Sequence, residues 1–292
     1  MRVTARPFEP NNCRTLKHDP RSILPRLALP VRDRSLNMGT MQPRRFRVSD
    51  VDTPVIPITG AEARHALRVL RLGVGDRVVL FDGDGQEVDG KIRSVAADSL
   101  AAEAIGPVRR VLRPGRSLTL AVATPKGQRA DWLVEKCAEL GVRALWLLQT
   151  ERGVVNPGDG KIARWRRKAA AAAKQAGQAR VMAIEPPRPI RTLIAERKTG
   201  VVILYGDPAP QATPLIDMLT EPARSSTEAG EWLIFIGPEG GFTNEEREQF
   251  SEHGGRPVRL ARSTLRIETA AIAAAAVWAA LPDGPSRDAP TV

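Results

Sequence analysis

Apolar residues recur along this chain in two rhythms. Up to about Val108 they come in short β-rich runs broken by turns, notably Arg77 to Phe81 and Glu87 to Ile92 on either side of Asp82-Gly83-Asp84-Gly85. Paired Asp-Gly steps between such runs predict a hairpin, because glycine supplies the positive φ that the turn requires. One helix is predicted within this region, from Gly60 to Leu72, and the whole is expected to be a small β-barrel. Arg109 to Arg116 has no apolar period and contains Pro114-Gly115, so a domain boundary is expected there. Beyond it, strand candidates at Leu118 to Ala123, Ala144 to Leu148, Val201 to Leu204 and Leu233 to Ile236 alternate with helices at Arg129 to Leu140 and Ile162 to Ala176. Such alternation predicts an α/β domain with a mainly parallel sheet. The longest apolar run, Ala270 to Leu281, is 12 residues and mostly alanine, and reads as a buried helix. A membrane span needs ~20.

Two segments stand out for chemistry. In Ile234-Phe235-Ile236-Gly237-Pro238-Glu239-Gly240-Gly241-Phe242-Thr243-Asn244-Glu245-Glu246 a strand enters a glycine-rich turn, and Thr243 with Glu246 forms a capping box that opens the next helix. Glycines let a backbone approach a ligand closely, although Gly-Gly by itself is most often a plain tight turn. In Leu260-Ala261-Arg262-Ser263-Thr264-Leu265-Arg266-Ile267-Glu268-Thr269-Ala270-Ala271 a short strand is expected to meet the alanine-rich helix, with Arg266 and Glu268 at its mouth. Charges beside a buried helix need a partner, so a rim salt bridge and a functional pair are both open readings.

Composition narrows the classes. With 42% hydrophobic and 26% charged residues the chain can bury a core. Its formal charge of +11 favours a polyanionic partner, with residues 1–41 carrying a net +5 and the remainder +6. Lys161, Arg164, Arg166, Arg167, Lys168, Lys174 and Arg180 follow one another without an intervening acid, either as an RNA or subunit face or as a solvated surface. Cys13 and Cys137 offer no disulfide framework, which suits a reducing, cytoplasmic setting. His18, His65 and His253 are scattered and no cysteine cluster exists, so no metal site is expected. No G-x-G-x-x-G follows a strand, and Gly153 to Gly158 has P-loop spacing but continues with Asp159.

Together the two segments resemble the S-adenosylmethionine loops of the RsmE family, the 16S rRNA (uracil-N3) methyltransferases of the SPOUT superfamily. Thr124-Pro125-Lys126-Gly127 with Lys136, Glu139-Leu140-Gly141-Val142 and Thr150-Glu151-Arg152 is similar to that family's first catalytic block, and His65 with Arg68-Val69-Leu70-Arg71 to its N-terminal block. The likeness runs in order from Arg44 to Leu281. It departs where the family helix reads E-A-A-E-Q-S-G-R, which stands here as Ala171-Ala172-Ala173-Lys174-Gln175-Ala176-Gly177-Gln178, with Arg180 as a substitute for the arginine. Ala261 stands for the usual glycine and Gly153 for the usual serine.

The resemblance implies an N-terminal PUA-like barrel over 42–113, a SPOUT-type α/β domain with a C-terminal trefoil knot over 117–283, and a homodimer. Residues 1–41 then read as a start assigned too early or as a disordered basic arm, and 284–292 as a tail. It implies methylation of N3 of a specific uridine, U1498 in the family, in 16S rRNA of the small ribosomal subunit. Cofactor contacts are expected from Leu204, Gly206, Gly237, Pro238, Glu239, Gly240, Gly241, Leu260, Leu265, Arg266 and Thr269. Arg266 would stabilise charge on the uracil oxygens while Glu268 or Glu239 takes the N3 proton. His65, Arg68 and Arg71 are expected to touch RNA, and Lys126, Arg129 and Arg152 to line the substrate cleft. No membrane and no metal partner is expected. Three alternatives stay open: a SPOUT enzyme acting on another RNA or on a ribose 2′-hydroxyl, an assembly factor that binds without catalysis, and, more distantly, a small-molecule phosphate-binding enzyme.

Overall fold

In the computed structural model the described residues are 44–111, 115–220 and 230–282, all within one compact unit. The extension at 1–41, the tail at 284–292, Cys13 and His18 lie outside them.

The first sheet contains β1 (Arg44–Arg47), β2 (Val55–Ile58), β3 (Arg77–Phe81), β4 (Gln86–Val95), β5 (Leu100–Ala104) and β6 (Arg109–Arg110). Its order is β1-β3-β4-β5-β2, with β6 paired to β4. Alternate side chains such as Phe46, Ile56, Ile58, Leu80, Val88 and Ile92 point to one buried core. The β3–β4 hairpin forms at the Asp-Gly pairs as expected. Asp82 Oδ1 accepts from the backbone N–H of Asp84, Gly85 and Gln86, while Gly83 and Gly85 adopt φ of 93° and 109°. Its terminal strands β1 and β2 do not pair, so hydrogen bonds leave the expected barrel open at that seam.

The helix expected from Gly60 to Leu72 is instead a short α1 (Gly60–Arg64) that widens into a π-helical turn, His65–Val69. Leu70 N–H donates to the His65 carbonyl, five residues back, and Arg71 then takes a φ of 53°. That left-handed residue stops the helix. Widened turns of this kind commonly mark functional surfaces.

The second sheet follows β7 (Ser117–Ala123), α2 (Arg129–Glu139), β8 (Ala144–Gln149), α3 (Asp159–Gln175), β9 (Ala183–Pro189), α4 (Ile190–Ala195), β10 (Val202–Gly206), β11 (Thr213–Pro214), α5 (Leu215–Thr220), β12 (Glu231–Ile236), α6 (Asn244–Glu252), β13 (Arg256–Arg259) and α7 (Ile267–Ala279). Its order is β11-β13-β10-β12-β7-β8-β9 and every pairing is parallel. Helices cover both faces, which explains the unbroken burial of Leu118 to Ala123. Leu118, Leu120 and Val122 meet Leu133, Trp165 and Ala271 from α2, α3 and α7. Ala121 and Phe235 point the other way, to Ile194 of α4 and Phe250 of α6. Burial of Cys137 pushes its thiol up to about 12, so it behaves as a core residue.

Two expectations shift here. The strand placed beside Leu260 lies earlier, at Arg256–Arg259, where its register with Leu204 to Gly206 is set; the exposed polar run Arg262-Ser263-Thr264 is loop. The alanine-rich helix buries Ala271, Ala274 and Ala275 but exposes Ala276 and Ala279 on its outer side. Among the described residues no helix is long and apolar enough to cross a membrane, and no group of histidine, cysteine or carboxylate side chains is placed to hold a metal ion.

Candidate active site

Because all strands of the second sheet run the same way, the loops leaving their carboxyl ends gather at one edge, where ligands bind in open parallel sheets. These loops begin after Ala123 (β7), Gln149 (β8), Gly206 (β10), Ile236 (β12) and Arg259 (β13). That edge collects Leu204, Gly206, Gly237 to Gly241, Leu260, Leu265, Arg266, Glu268, Thr269, Lys126, Arg129 and Arg152. His65, Arg68 and Arg71 are not among them; they are exposed on the π-helical turn of the first sheet's region.

Close packing shapes the glycine-rich loop after β12. A Cβ on Gly237 would stand 3.1 Å from the Phe242 ring, and one on Gly240 3.2 Å from Arg152 Cδ. Gly241 adopts a φ of 70°, which favours glycine. The capping box closes as expected: Glu246 N–H donates to Thr243 Oγ1 at 3.2 Å, and Thr243 N–H to Glu246 Oε2 at 2.9 Å. Glu246 Oε1 also accepts from Glu151 N–H at 2.9 Å, and Arg152 donates to the Gly240 carbonyl, so the β8 and β12 loops are tied together. The neighbouring Glu245 carboxylate is held below its usual range, first by its own backbone N–H, then by the Thr243 hydroxyl and the Arg152 charge.

The charged centre is a triad. Arg129 Nη1 lies 3.7 Å from Glu239 Oε1 and 3.7 Å from Glu268 Oε1, and so bridges the two carboxylates that the sequence leaves as rival bases. Their environments differ. The Glu239 side chain is 52% exposed, whereas that of Glu268 is 6% exposed. Among the described residues Glu268 Oε2 is buried without a hydrogen-bond partner, and so are Thr124 Oγ1 at the end of β7 and Thr150 Oγ1 at the end of β8. Buried polar atoms are rarely left alone, so three at one edge point to a polar ligand that would complete them. The glycine-lined loop offers backbone room for the same ligand. Arg266 caps α7 with its backbone, its carbonyl accepting from Ala270 N–H at 2.8 Å, and leaves its guanidinium exposed.

Sequence reasoning missed part of this edge. Asp207 follows Gly206, is 8% exposed, pairs with Arg247 of α6 and takes its backbone register from the Val258 carbonyl at 2.9 Å. A strand ending in Gly-Asp-Pro was the available signal. Arg129, expected to line the substrate cleft, lies between Glu239 and Glu268. Several cations of the basic stretch from Lys161 to Arg180 have intramolecular partners: Arg164 pairs with Asp131, Lys168 with Glu135 and Lys174 with Glu62, Arg166 donates to the Ile184 carbonyl, and Arg167 is exposed. The compensating acids sit on other elements, where a linear reading does not find them.

At the opposite, amino end of the sheet lies a cavity of about 190 Å³ lined by Thr119, Arg143, Trp146, Glu231 and Trp232 among others. Its charges satisfy one another: Glu231 lies 3.9 Å from Arg143 and 3.6 Å from Lys198. None of the candidate site residues is among those lining it.

The family model of an RNA methyltransferase domain matches residues 113–279, and that of an RNA methyltransferase PUA domain matches residues 58–105. A Bacillus subtilis protein named ribosomal RNA small subunit methyltransferase E is 28% identical over 225 residues, covering 75% of this chain and 87% of its own length. A Synechocystis protein of the same name is also 28% identical, covering 84% and 79%. Among solved structures, the ribosomal RNA small subunit methyltransferase E of Neisseria gonorrhoeae bound to S-adenosyl methionine superposes with a TM-score of 0.68 at 26% identity, covering 80% of this chain and 95% of that one. A Legionella pneumophila protein in complex with the bound cofactor SAM gives 0.67 at 28% identity, covering 81% and 97%.

Proposed function

The chain belongs to the RNA methyltransferase family represented by the RsmE proteins, and from that membership we propose that it methylates N3 of a specific uridine, U1498 by the family's account, in 16S rRNA of the small ribosomal subunit. The observation that carries this reading is the Arg129 bridge between Glu239 and Glu268 at a sheet edge where three buried polar atoms lack partners.

Gly237 to Gly241, Leu260, Leu265 and Thr269, with Leu204 and Gly206 as the third wall, hold S-adenosylmethionine in this account. The cofactor supplies an electrophilic methyl group on a sulfonium sulfur. What the protein must add is a uracil with a free lone pair at N3, since that nitrogen is protonated at neutral pH. Glu268 accepts the N3 proton; its burial and its unpartnered oxygen favour it over the half-exposed Glu239. Arg129 stands beside Glu268 as its counter-charge, 3.7 Å from Oε1, so the buried carboxyl is not left without a partner. Arg266, with its guanidinium exposed and without a hydrogen bond or ion pair among the described residues, stabilises negative charge on the uracil oxygens as the proton leaves. Lys126 and Arg152 flank the same edge and guide the phosphate backbone, while His65, Arg68 and Arg71 grip RNA from the other region.

The same reading carries a two-domain division at about residues 113–117, a trefoil knot through the loops after β10, β12 and β13, and a homodimer that uses the outer side of α7. Separate buried cores for the two sheets support the division, adjacent placement of those three strands supports the knot, and the exposed Ala276 and Ala279 support the dimer. The work would take place in the cytoplasm, where ribosomal subunits are assembled. The reading is tested by incubating small subunits that lack the modification with labelled S-adenosylmethionine and analysing the nucleosides. A 3-methyluridine product is expected. Cofactor binding without incorporation would instead favour an assembly factor, and a 2′-O-methylated product a different SPOUT reaction.

A further inference from the structure

The region bearing His65, Arg68 and Arg71 is joined to the second sheet's helices by a specific seam. Lys174, in the last turn of α3, donates to Glu62 Oε2 at 2.8 Å and lies over the Phe46 ring at 5.5 Å. Both partners of the ion pair are partly buried, with side chains 19% and 28% exposed. Just beyond α3 the chain adds backbone contacts to the β3–β4 hairpin: Gly85 N–H donates to the Ala179 carbonyl at 3.2 Å and Val181 N–H to the Gly83 carbonyl at 2.9 Å. Arg180 donates to the Asp84 and Val111 carbonyls, and its guanidinium fills the space a Cβ on Gly85 would occupy, 2.3 Å away.

Glu62 belongs to α1, which runs without interruption into the π-helical turn of His65–Val69. Lys174 belongs to α3, which is pinned to α2 through Arg164–Asp131 and Lys168–Glu135. Helix α2 begins at Arg129, the residue that bridges Glu239 and Glu268. Contacts thus run continuously from the exposed basic turn, through Glu62 and Lys174, to the charged centre. We propose that Lys174 and Glu62 are a positioning pair, which fixes the RNA-gripping turn relative to the reacting edge so that bound RNA presents its target base at the right reach. Lys174 replaces an acid of the resembling helix, so the pair is a feature of this chain's own sequence. A surface pair would contribute little, but this one is shielded and aligned by the stacked ring and the adjacent backbone bridge.

The inference rests on the RNA-methylating reading, and its test separates the two. In single-turnover transfer at saturating cofactor and RNA, Lys174→Glu is expected to slow methylation by about tenfold to a hundredfold, the penalty of a small misplacement. RNA affinity and S-adenosylmethionine affinity should stay within about twofold, since neither binding surface is altered. The charge-swapped pair Glu62→Lys with Lys174→Glu should restore most of the rate. A Lys174→Glu rate within twofold of wild type overturns the proposal. A loss that tracks RNA affinity, or one that the swapped pair leaves unrepaired, does so as well. Spin labels at Ser94 and Arg262, in a Cys13→Ser background, read the seam without activity: a narrow distance distribution should broaden in Lys174→Glu and narrow again in the swapped pair. An unchanged distribution counts against the seam even if wild-type enzyme methylates nothing, and that inactivity alone would count against the reaction.

Discussion

Two basic regions of this molecule look alike in sequence and differ in space. Along α3 and just beyond it, Arg164, Lys168 and Lys174 each meet a carboxylate, Arg166 and Arg180 each meet a carbonyl, and Lys161 lies over the Trp165 ring. On the π-helical turn and its flanks, Arg64, His65, Arg68 and Arg71 are all exposed, and among the described residues none of these side chains has a hydrogen bond or ion pair. Most of the first group is tied to the fold, with Arg167 the exposed exception, while the second group is available to a polyanion. Positive charge in a sequence therefore marks a nucleic-acid surface only when no acid elsewhere in the fold claims it.

The largest test of that contrast is the double substitution Arg68→Ala with Arg71→Ala. RNA affinity should fall about tenfold or more, and the salt dependence of binding should flatten by about two released counterions. The matching double, Arg164→Ala with Lys168→Ala, should leave RNA binding within about twofold; filter binding across a salt series measures both. An equal loss in the two doubles would erase the distinction.

A smaller effect tests the structural role of the first group. Asp131 Oδ1 accepts from Trp165 Nε1–H at 2.7 Å, and Trp165 is 1% exposed. Asp131→Ala strands that donor, which should cost about 1–3 kcal/mol in denaturant unfolding. Cofactor affinity should be retained.

The smallest concerns the pairing of β6 with β4. Hydrogen bonding from Arg109 holds the Asp89 carboxyl below its usual 3.8. The pair's contribution is therefore present above that usual value and is lost as pH falls through the lowered one. Asp89→Asn should remove this part of the acid-induced loss of thermal stability, by a small margin because both side chains are nearly half exposed.

Much of this architecture could be read from the sequence. Strand β3 and helix α2 have short, strong apolar periods with clear stops, the hairpin is written in Asp82 to Gly85, and the capping box at Thr243 and Glu246 is local chemistry. The misses arise where a long-range partner decides. Leu260 is loop because the short β13 takes its register from β10, and the helix after Gly60 widens at His65 and stops where Arg71 enters the left-handed region. Resemblance pointed to residues that gather at the carboxyl edge of the parallel sheet, but their linkage did not follow from sequence. Arg129 joins Glu239 and Glu268 across sequence distances that no local motif spans. Asp207 escaped because its partner, Arg247, is on a different helix.

In the proposed reaction the buried Glu268, rather than the exposed Glu239, takes the proton from the target base. Single-turnover methyl transfer at saturating cofactor and RNA, measured for Glu268→Gln and Glu239→Gln beside the wild type, addresses it directly. Glu268→Gln should lose about a hundredfold or more while Glu239→Gln stays within about fivefold. A larger loss in Glu239→Gln, or a Glu268→Gln enzyme that keeps its rate, would contradict the account.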